Sequence, residues 1–380
     1  MTKPVIGIVL PYLKSRGTEK QALRLAIGFI ERGADVVLFV VQGWGLEKIY
    51  CAFENAGVRV VNVGPEINPG KKKVNLARVF SLARLVRQHR CTALLSRAGM
   101  TNQITGFAGL LRLIPTTVVL SGATAKKETR SLLKKWIFSL RSASRIGFPK
   151  RIISVSNEGA RNFILSYPPL AKKVKAIPNG VDHLIIDDVY KESWMDSRKF
   201  YFCYSGSLEI NRKGIDFLVD ALEVLVLDRG LMNAAIVLIG TGQDEKRIMT
   251  MLHDKGLNSH VVFAGEQSEP YALMSQCQAF VLPSRKEGLP NALLEAMSLG
   301  MCAIAADCDT GPREIITHGV DGILVPPDDH KRLAEAMSKV MHKKIMREEL
   351  GKQAKITIEK KFSLEKMIDG YFELLTEKQK

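Results

Sequence analysis

Glu287 and Glu295 stand eight residues apart in the stretch Leu282-Pro-Ser-Arg-Lys-Glu287-Gly288-Leu289-Pro290-Asn291-Ala-Leu-Leu-Glu295-Ala-Met. A buried strand-like run precedes it. Pro290 suits the first turn of a helix, where its missing N–H costs nothing, and Gly300 ends that helix. Glu287 then lies in the turn before the helix, and Glu295 one to two turns inside it. The amides of Leu289, Asn291 and Ala292, next to Gly288, form a positive helix end that can seat a phosphate. Two acceptors flanking a phosphate seat fit a nucleotide sugar: one carboxylate takes the ribose hydroxyls, the other those of the sugar. In isolation the same spacing describes a solvated turn residue and a solvated helix residue, so the surroundings decide.

A second stretch, Gly206-Ser207-Leu-Glu-Ile-Asn-Arg212-Lys213-Gly214, sets two cations side by side on a glycine-bounded loop. Adjacent cations stabilise a departing diphosphate; alone, they would read as an exposed basic turn. Gly240-Thr-Gly242 resembles the start of a dinucleotide fingerprint, but Glu245 stands where the third glycine belongs, so NAD is not expected. Six cysteines (Cys51, Cys91, Cys203, Cys277, Cys302, Cys308) show no CxxC spacing and read as buried free thiols in a reducing compartment.

These loops need elements to hold them, and short β-branched runs alternate with helical periods along the chain. Val5–Leu10, Ala34–Val41 and Val58–Val63 read as strands. Glu19–Gly33 reads as a helix with Ala22, Leu25, Ala26 and Phe29 on one face. Helices over Leu76–Arg90 and Gln103–Leu113 alternate with strands at Thr92–Ser96, Thr116–Leu120, Ile152–Val155 and Val174–Ile177. The rhythm restarts with strands Phe200–Ser205, Ala234–Ile239, Val261–Ala264, Ala279–Leu282 and Cys302–Ala306. Its helices are Ile215–Arg229, Asp244–Lys255, Pro290–Leu299 and His330–His342. Such alternation builds parallel sheets covered on both faces, here two doubly wound α/β domains joined by the polar segment Asp182–Arg198. Ligands of open α/β sheets sit beyond the carboxyl ends of the strands. The site is therefore expected in a cleft between the domains.

The chain has 380 residues, 46% hydrophobic and 25% charged, which are globular proportions for two domains. No apolar run reaches the ~20 residues that span a bilayer, and Val5–Leu10 is too short for a signal peptide. A cytoplasmic protein is expected. Net charge is +16 and uneven: residues 1–183 hold 30 Lys and Arg against 9 Asp and Glu, net +21, and residues 184–380 hold 25 against 30, net −5. A cationic half beside an acidic one points to an anionic surface met by the first half only.

With their surroundings, these motifs resemble the family 4 glycosyltransferases of lipopolysaccharide and exopolysaccharide synthesis, whose GT-B fold sets two Rossmann-like domains face to face. The E-x7-E stretch resembles the family signature. Ile177-Pro-Asn-Gly-Val-Asp182 resembles the segment entering its interdomain linker, and Gly206 to Gly214 its phosphate-binding turn. Leu238-Ile-Gly240-Thr-Gly242, Val262-Phe-Ala-Gly265, Gly311-Pro-Arg-Glu314 and Gly322-Ile-Leu-Val-Pro326 follow in the family order. Lys361-Phe-Ser363 precedes a last helix that crosses back to the first domain. The resemblance implies an acceptor-binding domain at 1–183, a donor-binding domain at 184–362 and a crossing helix at 363–380.

The resemblance also implies roles. Lys213 would hold the donor diphosphate with Arg212 as second cation, Glu287 the transferred sugar and Glu295 the ribose. Ser207, Gly265, Gly288, Leu289 and Asn291 would surround the donor. Gly17, in the turn after the first strand with Lys14 and Arg16, would touch donor phosphate or acceptor. Many family members carry Arg where Ser207 stands. The family's acceptor-side His has no counterpart in Val119-Leu-Ser121-Gly122-Ala-Thr124. Retention of anomeric configuration is implied, with no metal, no role for Asp307-Cys-Asp309 in holding one, and no cofactor beyond the nucleotide sugar.

Partners follow from charge. Within Ala125–Arg145, Leu133, Trp136, Ile137 and Leu140 keep helical spacing among Lys126, Lys127, Arg130, Lys134, Lys135, Arg141 and Arg145. A basic amphipathic helix of this type lies on membranes, and Lys71–Lys73 adds to it. The expected protein is peripheral at the inner face of the cytoplasmic membrane, transferring a hexose or N-acetylhexosamine from a UDP-sugar to a lipid-linked or membrane glycan. Two alternatives are weighed. A nucleotide-sugar 2-epimerase of the same fold has no use for a cationic membrane face. A non-catalytic nucleic-acid-binding protein leaves Glu287 and Glu295 without purpose and lacks an aromatic stacking platform.

Overall fold

The structure, a computed structural model, describes residues 3–13, 17–42, 47–64, 76–97, 99–111, 113–114, 117–121, 151–182, 195–267 and 270–377. The basic segment 125–145, Lys71–Lys73, Lys14, Arg16, Gly122 and Thr124 lie outside them. Two units divide the chain: Met1–Asn179 with Leu364–Lys380, and Gly180–Ser363. The first change of unit falls at Asn179/Gly180, four residues before the 183/184 boundary read from the sequence. Val181 N–H donates to the Phe362 carbonyl at 3.0 Å and Val181 bridges Ser363, which ties this stretch to the second unit.

The first unit is a parallel sheet of β1 (Val5–Leu10), β2 (Asp35–Val40), β3 (Arg59–Asn62), β4 (Ala93–Arg97), β5 (Thr117–Ser121), β6 (Arg151–Ser154) and β7 (Val174–Ala176). Its order is β3-β2-β1-β4-β5-β6-β7. One face is covered by α1 (Gly17–Glu31), α2 (Glu47–Asn55) and the late helix α14 (Leu364–Thr376). There Ile6, Ile8 and Leu10 pack with Leu25 and Phe29 of α1 and with Met367, Ile368, Tyr371, Leu374 and Leu375 of α14. The other face carries α3 (Leu76–Gln88), α4 (Gly99–Leu110) and α5 (Asn157–Ser166). Val9 and Phe39 meet Val79, Leu82 and Ile104 there, and Ile152 meets Phe163. Strands sandwiched in this way are apolar on both faces, which is why β1 reads as an unbroken apolar run.

The second unit repeats the plan with β8 (Phe200–Ser205), β9 (Ala234–Ile239), β10 (Val261–Gly265), β11 (Ala279–Leu282), β12 (Cys302–Ala306) and β13 (Ile323–Val325), ordered β10-β9-β8-β11-β12-β13 and all parallel. Its helices are α6 (Ile210–Lys213), α7 (Ile215–Glu223), α8 (Glu245–Asp254), α9 (Tyr271–Met274), α10 (Asn291–Ser298), α11 (Pro312–Ile315), α12 (His330–His342) and α13 (Lys344–Lys361). The single helix expected over Ile215–Arg229 ends as α7 and widens into a π-helical turn at Val224–Asp228. Strand order reverses at β8, with β9 on one side and β11 on the other. The carboxyl ends of β8 and β11 therefore border the crevice where this architecture takes ligands.

Candidate active site

The loop after β8 is built by close backbone packing. Gly206 N–H donates to the Ile239 carbonyl at 2.9 Å, Leu208 N–H to that of Thr241 at 3.0 Å, and the buried Tyr204 hydroxyl to that of Ser207 at 2.8 Å. A Cβ on Gly240 would lie 2.1 Å from the Gly206 oxygen, and one on Gly242 2.3 Å from the Leu208 oxygen. Gly240-Thr-Gly242 thus lets two loops touch. Asp244 Oδ2 accepts from Ile210 N–H at 2.8 Å and holds the start of α6. Gly214 ends α6 in the left-handed region (φ 65°), and its would-be Cβ would sit 2.2 Å from the Pro283 oxygen. Only glycine meets both conditions.

That contact lays the basic turn on the loop after β11. The Arg212 carbonyl accepts from the N–H groups of Arg285 at 3.0 Å and Lys286 at 3.4 Å. The Arg285 guanidinium makes two bonds to Asp216, at 2.8 and 2.9 Å, and one each to Asp328 (2.5 Å) and the Ile210 carbonyl (2.8 Å). Asp216 above all raises its pKa further. The clamp delivers Glu287 to the basic turn, where Lys213 Nζ lies 2.5 Å from Glu287 Oε1. Both side chains are enclosed, 13% and 8% exposed. Thr310 Oγ1 donates to the Glu287 carbonyl. Burial, and then the Glu287 charge, push the Tyr204 phenol up, and the Cys308 thiol to about 11.

Arg212, read from the sequence as the second cation of the turn, is paired with a carboxylate of the same turn. One turn of helix puts it three residues from Glu209, and its guanidinium bonds both carboxylate oxygens, at 2.9 and 3.0 Å. Nη2 also reaches Ser207 Oγ at 3.1 Å. The guanidinium therefore stands over Ser207, the position where the family resemblance would place Arg. The Arg212 bond holds the Glu209 carboxyl down at about 2, with a smaller contribution from Ser207.

Glu295 is the fifth residue of α10, and Tyr271 of α9 donates its hydroxyl to Glu295 Oε1 at 3.2 Å. Pro290 is the N-cap of α10, not its first helical residue, and its carbonyl accepts from Leu293 and Leu294 at 3.2 Å each. Its ψ of 109° is extended, which leaves that carbonyl to start the helix. Leu289 is buried, and Gly288 lies against Gly311. Asn291 opens α10, half-buried. Gly265 closes β10, and its carbonyl accepts from Gly240 N–H at 2.7 Å. Gly17 opens α1 in the other unit and is exposed. Direct bonds thus pair Arg212 with Ser207 and Lys213 with Glu287 at the crevice. Glu295 and Asn291 stand on the helix that follows.

Sequence reasoning overlooked Glu209, Asp216, Tyr271 and Arg285. Only Glu209 had a local signal, its three-residue spacing from Arg212 on a turn. Asp307 is tied to Arg313 at 2.8 Å, and among the described residues no three His, Cys, Asp or Glu side chains gather as a metal site.

Two family descriptions match the chain in succession: Glycosyltransferase Family 4 over residues 15–183 and Glycosyl transferases group 1 over residues 188–357. The chain belongs to this glycosyltransferase family. An uncharacterized glycosyltransferase of Methanocaldococcus jannaschii is 28% identical over 257 residues, covering 57% of this chain and 61% of that protein. The O-antigen chain mannosyltransferase C of Escherichia coli is 28% identical over 225 residues, 57% and 58% of the two chains. The chain thus spans about three-fifths of the length of these curated relatives. Among solved structures, Anabaena HepE in complex with UDP and glucose superposes with a TM-score of 0.77 at 19% identity, over 98% of this chain and 99% of that one. A glycosyltransferase from Rickettsia africae gives 0.80 at 15% identity over 100% of both. The fold is the α/β GT-B type.

Proposed function

We propose that this chain transfers a hexose or N-acetylhexosamine from a nucleotide sugar, a UDP-sugar, to a membrane-associated glycan of cell-surface polysaccharide synthesis, with retention at the anomeric carbon. One observation carries the reading: the enclosed Lys213–Glu287 pair, 2.5 Å apart, which links the basic turn after β8 to the E-x7-E loop after β11. In this reading Lys213, with Arg212 beside it, neutralises the diphosphate as its bond to the sugar breaks. Glu287 holds the transferred sugar and Glu295 the ribose. The cations of the step are side chains, so the proposal needs no metal ion. Support comes from the UDP and glucose bound by HepE and from relatives named for O-antigen and lipopolysaccharide synthesis, including the lipopolysaccharide 1,6-galactosyltransferase of Salmonella typhimurium.

The membrane part is supported by how the first unit divides its surface. The layer of residues 76–90, 99–111 and 157–173 brings six Lys and Arg to the surface, Arg78 being buried, against one carboxylate, Glu158. The opposite layer, 17–32, 47–55 and 364–377, brings five to the surface against seven carboxylates, Glu19 being buried. Leu76, Phe80, Leu111 and Leu165 stand 62%, 54%, 49% and 71% exposed on the basic layer; the opposite layer shows Ile27 at 38%. Cations around exposed apolar side chains suit an anionic leaflet. No helix among the described residues is long and apolar enough to cross a membrane, so docking would be peripheral, at the inner face of the cytoplasmic membrane.

The test is a panel of nucleotide sugars followed by saturation-transfer NMR and slow hydrolysis. One UDP-sugar should bind, Glu295→Ala should abolish that binding, and Lys213→Ala should cut turnover. Wild-type kinetics in both folded variants would sink the assignment.

A further inference from the structure

The carboxyl end of β4 carries a charge that no described residue of its unit neutralises. Arg97 closes β4 beside β1, where the first unit's strand order reverses: β2 and β3 lie on one side, β4 to β7 on the other. That crevice is where open α/β sheets take ligands. Arg97 is only 5% exposed. It follows Leu95 by two residues, so its side chain is on the face that Leu95 shares with α1 and α14. Its Nη1 is enclosed and meets no acceptor. Among the described residues no carboxylate forms an ion pair with it, Glu19 in the first turn of α1 included. Thr101 Oγ1 donates to the Arg97 carbonyl at 2.6 Å, which fixes the backbone from the first turns of α4.

A guanidinium cannot escape burial by losing its proton, and a buried charge without a counter-charge is costly. Proteins keep such charges where a ligand completes them. The neighbouring strand β1 leads into α1, a helix of 15 residues whose positive N-terminal end opens at the exposed Gly17. We propose that Arg97 is the centre of an anion subsite at the carboxyl end of β4, taking a phosphate or carboxylate group carried by the acceptor. That the anion belongs to the acceptor rests on the transferase reading; the anion subsite itself does not. The donor's own phosphate cations, Arg212 and Lys213, stand in the other unit.

The full chain, saturated with UDP so that the seat of the second unit is filled, is melted alone and with inorganic phosphate, dimethyl phosphate or acetate. Arg97→Met should raise Tm in anion-free buffer, because it removes an uncompensated buried charge; losing a structural ion pair would lower it. The wild type should gain Tm with one of the three anions, and which one separates a phosphomonoester, a phosphodiester and a carboxylate. Arg97→Met should weaken that anion at least about tenfold, the least a charge-assisted hydrogen bond contributes, and Arg84→Met, which removes an exposed cation of the same unit, should leave the response unchanged. A lower anion-free Tm in Arg97→Met, an unaltered response in it, or no response in the wild type overturns the subsite. If UDP fails to bind while the Arg97-dependent response persists, the transferase reading falls and the subsite stands.

Discussion

The Lys213–Glu287 pair is enclosed on both sides, so removing one partner leaves the other charge stranded. Lys213→Met should destabilise the second unit by about 3 kcal/mol. The double variant with Glu287→Gln should recover most of that loss in urea unfolding. If Lys213 serves the diphosphate as proposed, turnover should fall about 100-fold in the single variant and stay low in the double, because that cation is still missing. Tyr271 offers a milder test. Its hydroxyl occupies one oxygen of Glu295 and so fixes the carboxylate that the proposed function assigns to the ribose. Tyr271→Phe should raise the donor KM about threefold to tenfold with kcat unchanged, and should add nothing in a Glu295→Ala background. Glu209 sets a pH signature. Its folded pKa, about 2, lies below the ordinary 4.5, so its contribution to stability is present above 4.5 and lost as pH falls toward 2. Glu209→Gln should therefore lose less stability than the wild type between pH 5 and about 2 in acid titration of the unfolding free energy.

Glycines at loop contacts act at the scale of elements. Gly240→Ala would drive a Cβ onto the Gly206 oxygen at a φ of 131° and should cost about 3 kcal/mol. Gly256 also has positive φ, 68°, but open space around it, and Gly256→Ala should cost about 1 kcal/mol. Equal losses in thermal unfolding would remove close approach as the reason for Gly240. The elements themselves were legible to different degrees. β1, β8, β9, β11 and β12 read to the residue, because strands covered on both faces are unbroken apolar runs. α13 went unread: along its 18 residues only Leu350, Gly351, Ala354 and Ile358 are buried, too sparse a stripe among charged residues. β13 has three residues and α6 and α11 four each, below any periodic signal. At the site, the motif residues and the cationic turn stood out, but the parts that join them did not. Arg285 and Asp216 lie 69 residues apart, and Lys213 and Glu287 lie 74 apart. Such pairs are set by strand order, which no local pattern carries.

For the whole molecule, counting charge along the chain shows which half is basic but not which surface. The structure of the first unit adds that its charge is sorted by layer, with four of the five exposed large apolar side chains among its described residues on the basic one. Arg84 and Arg87 are exposed on α3 behind Leu76 and Phe80, and Leu76 opens α3 at the carboxyl ends of the strands, where a bound acceptor would enter. A nucleic acid would reward the cations and leave Leu76 and Phe80 without purpose; a lipid surface rewards both. Sedimentation with vesicles of phosphatidylglycerol and phosphatidylcholine should therefore show binding that weakens with salt as the screening length falls from ~10 Å at 0.1 M toward ~3 Å at 1 M. Arg84→Glu with Arg87→Glu should lower the affinity at least about tenfold, since each cation contributes ~1 kcal/mol near an anionic leaflet. Leu76→Ser with Phe80→Ser should lower it by about as much through lost apolar burial, and this loss should survive high salt. Lys48→Glu with Lys366→Glu makes the same charge change on the opposite layer, and binding should hold close to wild type. Equal losses in both charge pairs would mean that net charge, not a face, draws the chain to anionic lipid. Indifference to the Leu76 and Phe80 changes, with tighter binding to a duplex nucleic acid than to vesicles, would replace the lipid by a polyanion.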